Sequence, residues 1–202
     1  MKITKVIIWV GLASLLAGCG LSTPVKLARV SAYTIANTKS LATPRRSKTR
    51  LTLLVAQPVA SAGYQSAKMV YVNVPYKLKA YADNVWIAPP ADMLMPILSQ
   101  QLRTKGYFHA VVTSPFSGVA NYRLDTQLLV LRQEFFRPIS VVRLVMQVSL
   151  INNANNRVTA SRRFQVLVSA PENNAYSGVL ATNKAAAILS RRVANFVINS
   201  VR

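Results

Sequence analysis

The chain has 202 residues, of which 25 are Lys or Arg and only five are Asp or Glu, so its formal net charge is +20. Such a charge predicts an anionic partner: phospholipid headgroups, lipopolysaccharide, nucleic acid or an acidic protein. Five scattered carboxylates are poor material for an acid–base pair or a hard-metal cage, and a single cysteine excludes an intramolecular disulfide.

Residues 1–18 have the pattern of a secretory signal peptide. A short basic start, 1–5, precedes a mostly apolar run over 6–17. A membrane-spanning helix needs about 20 apolar residues, so this run is too short to span a bilayer and predicts a leader that is removed. It ends in Leu-Ala-Gly-Cys at 16–19, which resembles the lipobox of bacterial lipoproteins. An ordinary signal peptide with a chance cysteine, or an uncleaved anchor, stays open as the alternative.

Cys19 is predicted to become the lipidated first residue of the mature chain, carrying an S-diacylglyceryl and an N-acyl group. A thioether removes the oxidation liability of a free thiol in an exported protein, and two or more acyl chains anchor a protein stably. By the same resemblance, Gly20 rather than Asp after the cysteine implies sorting to the outer membrane. Loss of Lys2 and Lys5 lowers the net charge from +20 to +18. Export also takes the chain away from nucleic acid, so we expect no nucleic-acid partner.

A tether over 19–29 leads to a predicted strand, Val30 to Ile35, and then to a Ser/Thr/Pro-rich basic linker over 38–50. Charge runs of this kind are usually solvated loops. The second interpretation is a loop lying on anionic headgroups, where each cation contributes about 1 kcal/mol. The residues assigned to that membrane-surface contact are Arg45, Arg46, Lys48 and Arg50.

The next segments predict short strands followed by a helix. The strands are Leu51 to Val55, Lys68 to Val74, Tyr76 to Tyr81 and 85–87, with Pro75 as an edge, bulge or break. The helix begins near 89–90 and stops at Gly106, following the preference of helices for Pro at the start and Gly after the end. Pro96 predicts a distorted first turn, with the regular helix starting at 92 or 93.

Three longer strands and a second helix complete the pattern. Strands over 122–136, 140–150 and 157–168 alternate apolar and polar residues, as in antiparallel sheets with one wet face. A helix from Gly178 to Val201 carries one apolar stripe. The predicted fold class is α+β: an antiparallel-rich mixed sheet with two amphipathic helices on one face, forming a single domain over 30–202.

Catalytic and metal-binding motifs are not found in the sequence. It contains no G-x-S-x-G, G-x-x-x-x-G-K or H-E-x-x-H. His109 follows two aromatic residues in a predicted strand with no carboxylate near it in sequence, so we expect a structural role. We therefore expect no enzymatic activity, no cofactor and no metal.

Several segments resemble one protein family. The turn Asn-Val-Trp-Ile-Ala-Pro-Pro over 84–90 joins a tyrosine-rich strand to the first helix, and Asn-Tyr-Arg-Leu-Asp over 121–125 follows in the same order. The early strand around Tyr33 and the final helix, with Ala181, Asn183, Ala185 and Ala186, also agree. Over about 30–200 the chain thus resembles the ABC-type transport auxiliary lipoprotein family, the outer-membrane partners of MCE (mammalian cell entry) systems of the paraquat-inducible Pqi type. The charge of the mature chain is higher than the family pattern.

This resemblance implies a non-catalytic lipoprotein that docks on an MCE-protein tunnel carrying phospholipid, alongside an ABC permease and ATPase. The partners implied are the MCE-domain protein, the transporter, the phospholipid membrane and, in a homo-oligomeric ring, further copies of the chain. Tyr71, Tyr76, Tyr81 and Trp86 are candidate partner-binding anchors, and packing in the core or in turns is the alternative for all four. A structural lipoprotein of a secretion or envelope assembly is the alternative function, and an envelope hydrolase with an unrecognised site is a third.

Overall fold

A computed structural model describes residues 29–36 and 47–201 of the chain. The predicted signal peptide, Cys19 and nearly all of the tether lie outside the described residues, as does most of the basic linker, including Arg45 and Arg46. The described residues belong to the predicted α+β domain and to the end of the basic linker.

The described residues form one open mixed sheet and two helices, as predicted. The strands are β1 (Ser31–Tyr33), β2 (Thr52–Val55), β3 (Val59–Ala60), β4 (Lys68–Val74), β5 (Lys77–Trp86), β6 (Ala110–Thr113), β7 (Tyr122–Glu134), β8 (Val141–Asn152) and β9 (Arg157–Ser169). The helices are α1 (Pro90–Lys105) and α2 (Ala175–Ser200).

The long strand β7 organises the sheet. On one side it pairs with β8, which pairs with β9, and both pairings are antiparallel. On its other side β7 pairs in parallel with β2, β3 and β4 in succession. The outer strands complete the sheet: β6 lies beside β2, β5 lies antiparallel beside β4, and β1 lies parallel beside β5. The sheet is therefore mixed: most of these pairings are parallel but short, and most of the paired residues lie in the two long antiparallel pairings of β8.

The direction of β7 defines two ends of the domain. At the upper end β7 finishes beside β4, where the Phe135 amide donates to the Val72 carbonyl at 2.9 Å. This end carries the β4–β5 turn with the strand residues beside it, 74–79, and the β7–β8 turn, 135–140. At the lower end β7 begins beside the start of β2, since Leu53 pairs with Tyr122. The β8–β9 turn lies there too, because the backbone amide of Asn153 donates to the Asn121 carbonyl at 3.0 Å. We call residues 47–50, 103–107, 119–121 and 153–156 the lower end.

Helix α1 has the boundaries that its Pro and Gly residues predict. Pro90 is its first residue, and Gly106 ends it in the left-handed conformation with φ 60°. Pro96 lies inside the helix, where only one carbonyl of the preceding turn loses its donor. The helix is assigned from Pro90, and in its first turn the Asp92 and Met93 amides both donate to the Pro89 carbonyl, at 3.0 Å and 3.4 Å, so this turn departs from regular α-helical bonding.

Helix α2 starts three residues earlier than predicted. The Asn174 side chain accepts a hydrogen bond from the Ser177 amide at 2.8 Å, so the helix begins at Ala175. Its buried stripe faces β8 and β9, and it also contacts α1, so both helices lie on one face of the sheet. Each of the larger aliphatic side chains in the core contributes about 1.5–3 kcal/mol by leaving water. The stripe includes Val179, Ala186, Leu189, Val193 and Val197.

Two β-bulges interrupt the regular alternation that the sequence predicts for the long strands. One lies between Leu128 and Val130 in β7, so Leu131 rather than Val130 continues the buried row. The other, between Leu150 and Ile151 in the β8–β9 pairing, leaves Val158 58% exposed, although strict alternation with the buried Phe164 and Val166 would place it on the inner face. A third difference concerns β5, which is one strand of ten residues rather than two short ones.

Strand β9 is an edge of the sheet, because within the described residues it pairs with β8 alone. Its exposed positions include Arg157, Arg162 and Arg163. The Arg162 guanidinium lies 5.0 Å from the centroid of the Phe196 ring in α2, within the range of a cation–π contact.

Candidate partner and membrane surfaces

The four aromatic residues predicted to bind a partner occupy three different environments. Trp86 is 4% exposed and belongs to the core. Tyr71 and Tyr81 are half-buried, and Tyr76 is fully exposed at 101%. The structure thus brings Tyr71 and Tyr81 together and separates them from Tyr76, which lies at the β4–β5 turn.

Tyr71 and Tyr81 form an aromatic cluster on the helix side of the sheet. Their ring centroids are 4.7 Å apart, and Tyr71 also meets Phe135 edge-on at 5.9 Å. Aromatic pairs in this geometry add about 0.5–1.5 kcal/mol beyond their buried area. The contacts tie β4 and β5 to the end of β7, so both rings contribute to packing in the fold.

A chain of polar contacts continues from Tyr81 to the start of α2. The Tyr81 hydroxyl donates to Gln133 Oε1 at 2.9 Å. Gln133 Nε2 in turn donates to Ser140 Oγ at 2.8 Å and to the Asn174 carbonyl at 3.2 Å. Burial, with a smaller contribution from Tyr71, raises the pKa of the Tyr81 phenol to about 12. The Tyr81 phenol is therefore neutral in this network, and the network connects the upper end of the sheet to the start of α2.

Gly178 allows α2 to approach this network closely. A side chain on Gly178 would overlap the Gln133 amide, with its Cβ 2.9 Å from Gln133 Cδ. Sequence reasoning missed Gln133, Ser140 and Gly178. Each residue is unremarkable in its own segment, and their relation appears only when β7 and α2, which are distant in sequence, are packed together.

A second missed cluster lies on the opposite face of the sheet. Arg132 and Arg143 are direct cross-strand neighbours in the β7–β8 pairing. Both bind the Glu134 carboxylate, Arg132 at 2.8 Å and Arg143 at 2.8 Å. Burial alone would raise the pKa of Glu134, but its hydrogen bonds to Arg143 and Arg132 and their charges together lower it. One carboxylate thus separates two cations that would otherwise repel each other.

The described part of the basic linker lies at the lower end. Lys48 and Arg50 are exposed, and the Lys48 amide donates to the Gly106 carbonyl at 3.1 Å. Lys48, Lys105 and residues near the end of α2 line one shallow pocket. Cations are favourable beside the C-terminal end of a helix because its last carbonyls are partly negative. Lys48 and Lys105 therefore lie where helix carbonyls favour positive charge.

The described residues include no group of three or more His, Cys, Asp and Glu side chains placed to hold a metal. His109 is exposed, and its backbone amide donates to the Leu51 carbonyl at 2.9 Å. Over 29–36 and 47–201, no helix combines the length and apolarity needed to cross a bilayer.

Comparison with known proteins identifies the family. The model of the ABC-type transport auxiliary lipoprotein component matches residues 33–194. Protein XCC0632 from Xanthomonas campestris, of family DUF330, has a similar structure with a TM-score of 0.75 and 19% identity, covering 85% of this chain and 96% of that one. A second, uncharacterised protein has a TM-score of 0.64 and 15% identity, covering 84% and 99%. No curated protein matches the chain. The family model covers most of the domain, and the chain therefore belongs to the family of ABC-type transport auxiliary lipoprotein components.

Proposed function

We propose that this protein is a non-catalytic component of an MCE-type lipid transport system, anchored in the outer membrane through Cys19 and facing the periplasm. It would dock on an MCE-domain protein that works with an ABC permease and ATPase. The observation that carries the proposal is the family match over residues 33–194, because the family is defined as an auxiliary lipoprotein of ABC-type transport.

The polar interior supports a structural rather than a catalytic role. Tyr81 and Gln133 have their hydrogen-bonding groups engaged by strand and helix partners. The Glu134 carboxylate is occupied by two guanidinium groups. A general base must reach the proton that it removes, and this carboxylate is both buried and ion-paired, so it is unsuited to that role.

The anchor supports a role that depends on position. A lipidated residue 19 would confine the domain to a layer beside the membrane, which raises its effective concentration near partners in the same layer. The sheet and the two helices then supply rigid docking surfaces. Self-association into a ring is part of the proposal, because several copies around one tunnel would share its symmetry.

The test combines membrane sorting with partner capture. The full-length protein with a carboxyl-terminal tag should fractionate with outer membranes, carry an acyl adduct by mass spectrometry and co-purify with an MCE-domain protein. Gly20→Asp is the matched variant: it keeps Cys19 and the domain but should move the protein to the inner membrane. Cys19→Ala should leave the domain folded and lose the acyl adduct.

The same experiment tests the alternative function. Outer-membrane fractionation with capture of secretion or envelope-assembly subunits, and without an MCE-domain protein, would favour a structural lipoprotein of such an assembly. An unmodified Met1 terminus would contradict the lipoprotein proposal altogether.

A further inference from the structure

The upper end of the domain exposes apolar side chains on two neighbouring turns. Tyr76 is fully exposed between β4 and β5, and Phe136 and Ile139 are 49% and 56% exposed between β7 and β8. Val74 and Leu78 flank Tyr76 at 50% and 44%. Both turns lie at one end because β4 and β7 run in parallel and finish together. This end therefore presents projecting apolar tips rather than a flat face.

Cations stand between these apolar tips. Lys77 and Arg137 are exposed, and Lys79 is half-buried. Neither 74–79 nor 135–140 contains an acidic residue. Glu172, in the adjoining loop before α2, accepts a hydrogen bond from Asn174 Nδ2 at 2.7 Å. The pattern of exposed aromatic and aliphatic residues with interspersed cations matches an interfacial, negatively charged environment.

The backbone at Tyr76 departs from local preference. Its φ is 65°, a left-handed conformation that suits Gly or Asn and is uncommon for a bulky aromatic residue. Such strain persists where the surrounding structure or a function maintains it. Since the Tyr76 ring makes no ring contact among the described residues and is fully exposed, packing within the domain does not explain the residue.

The direction of β1 is fixed by its pairing. Strand β1 runs parallel to β5, and β5 runs away from the β4–β5 turn, so residues 29 and 30 precede Ser31 on the side of that turn. Ser31 pairs with Asn84, which lies about seven residues from Lys77, or about 23 Å along the strand. The segment from Cys19 to Ser31 can span about 40 Å when extended. A lipid on Cys19 can therefore reach beyond the upper end.

We infer that the upper end rests against the membrane that holds the lipid anchor, with Tyr76 and Phe136 at the headgroup boundary and Lys77 and Arg137 on anionic phospholipid. This inference rests on the proposed anchoring through Cys19. It commits to a lipid surface rather than a protein partner because cations and apolar tips alternate with no acid in either turn, and because the length of chain between Cys19 and Ser31 is sufficient to reach beyond this end.

In this orientation the lower end points away from the membrane. Lys48 and Arg50 lie there, so they would face away from this membrane. Only one of the two ends can rest on the bilayer beside the anchor, and a paired measurement separates them.

Tryptophan fluorescence on vesicles provides that measurement. The mature chain has Trp86 as its single tryptophan, because the other lies in the predicted leader, and Trp86 is buried. Tyr76→Trp places a probe at the upper end, and Val119→Trp is the matched control at the lower end, where Val119 is 93% exposed. Acylated protein would be reconstituted on vesicles of brominated phosphatidylglycerol and phosphatidylcholine, with unbrominated vesicles as reference.

We expect bromine to quench the added emission of Tyr76→Trp by about half, since interfacial groups lie within about 5–10 Å of the acyl boundary. Val119→Trp and the unsubstituted protein should change little. Stronger quenching of Val119→Trp, or equal quenching of the two, would overturn the orientation.

Two further outcomes separate the orientation from the anchor. If acylated protein floats with the vesicles but neither probe is quenched, the anchor stands and the orientation is wrong. If Tyr76→Ala then abolishes capture of the MCE-domain protein, the tips bind protein instead. If acylated protein does not float at all, the proposed anchoring fails and the orientation fails with it.

Discussion

The two ends of this domain are both basic, yet their charges have different surroundings. At the lower end, Lys48 and Lys105 lie beside the carboxyl-terminal ends of the helices, whose carbonyls favour positive charge. At the upper end, Lys77 and Arg137 stand among exposed apolar side chains with no helix terminus of that polarity. The positive charges of this domain therefore fall into two groups. Cations at the lower end lie beside helix carbonyls, and cations at the upper end face outward among apolar side chains.

The upper end also depends on two clusters of side-chain contacts, one on each face of the sheet. The network from Tyr81 through Gln133 to Ser140 and Asn174 fixes the β7–β8 turn to the start of α2. Glu134 holds the last residues of β7 and the first of β8 together from the other face. Substitutions that weaken these contacts should therefore destabilise the domain more than removal of an exposed charge.

Gly178→Ala should destabilise the domain most, by about 3 kcal/mol, because overpacking of a filled interior costs about 1–3 kcal/mol and the Gln133 amide would also lose its partners. Chemical denaturation would measure the loss. Gln133→Ala removes the obstruction, so the double variant should lose less than the sum of the two single effects. Additive losses would show that the added methyl group does not act through Gln133.

Glu134→Gln should cost about 2 kcal/mol, because it leaves Arg132 and Arg143 facing each other without a carboxylate. Asp125→Asn is the matched control. Its pair with Arg123 is exposed, at 40% for each side chain, so its loss should stay within about 0.5 kcal/mol. Equal losses of unfolding free energy in the two variants would mean that burial of Glu134 does not strengthen its ion pairs relative to the exposed pair of Asp125.

The lowered pKa of Glu134 also predicts that the stability of the domain depends on pH. Because the pKa is lower in the folded state than in the unfolded state, the carboxylate contributes stability above its unfolded value. That contribution is lost as the pH falls through the folded pKa. Denaturation between about pH 5 and pH 2 should therefore show a steeper loss in the unsubstituted protein than in Glu134→Gln. Parallel pH profiles would contradict the assigned shift.

Tyr81→Phe should destabilise by about 1 kcal/mol through loss of its hydrogen bond to Gln133. Tyr71→Phe, which keeps the aromatic cluster, should change stability less. Since the pKa of Tyr81 is about 12 against an unfolded value of about 10, its contribution is full below about pH 10 and is lost as the pH rises towards 12. In a spectrophotometric titration of the tyrosines, the transition near pH 12 should disappear in Tyr81→Phe and persist in Tyr71→Phe.

Removal of one cation from each end should give the smallest changes in the free energy of unfolding. Lys105→Gln should cost about 0.3–1 kcal/mol because it removes a cation from the end of α1, whereas Lys77→Gln should leave the free energy of unfolding nearly unchanged. Thermal denaturation at low ionic strength would measure both. A larger loss for Lys77→Gln would show that its charge has a partner inside the fold.

Sequence reasoning predicted most of the elements but not how their faces change. The three long strands and α1 were recoverable because alternation and the Pro and Gly boundaries are local signals. The bulge after Leu128 was not, because an unpaired extra residue depends on the partner strand rather than on its own sequence. The first turn of α2 was missed although Asn174 is a residue type that commonly caps helices and does so here through the Ser177 amide.

The candidate surfaces were predicted unevenly for a similar reason. Four aromatic residues were selected as one group, but Trp86 is buried and Tyr76 is fully exposed. Composition identifies aromatic residues, while their exposure depends on strand register and on the turn at Pro75. Cys19, Arg45 and Arg46 lie outside the described residues, so their assigned roles stay predictions.

The edge position of β9, which pairs only with β8 over 29–36 and 47–201, has a consequence for how copies of the protein meet. A long strand with one unpaired edge is a template for joining sheets between molecules. This strand, however, contains three arginines and no acid over its thirteen residues. Two such edges approaching each other would bring these positive charges together, so we expect the strand to discourage edge-to-edge fibres and to direct any ordered assembly to other surfaces.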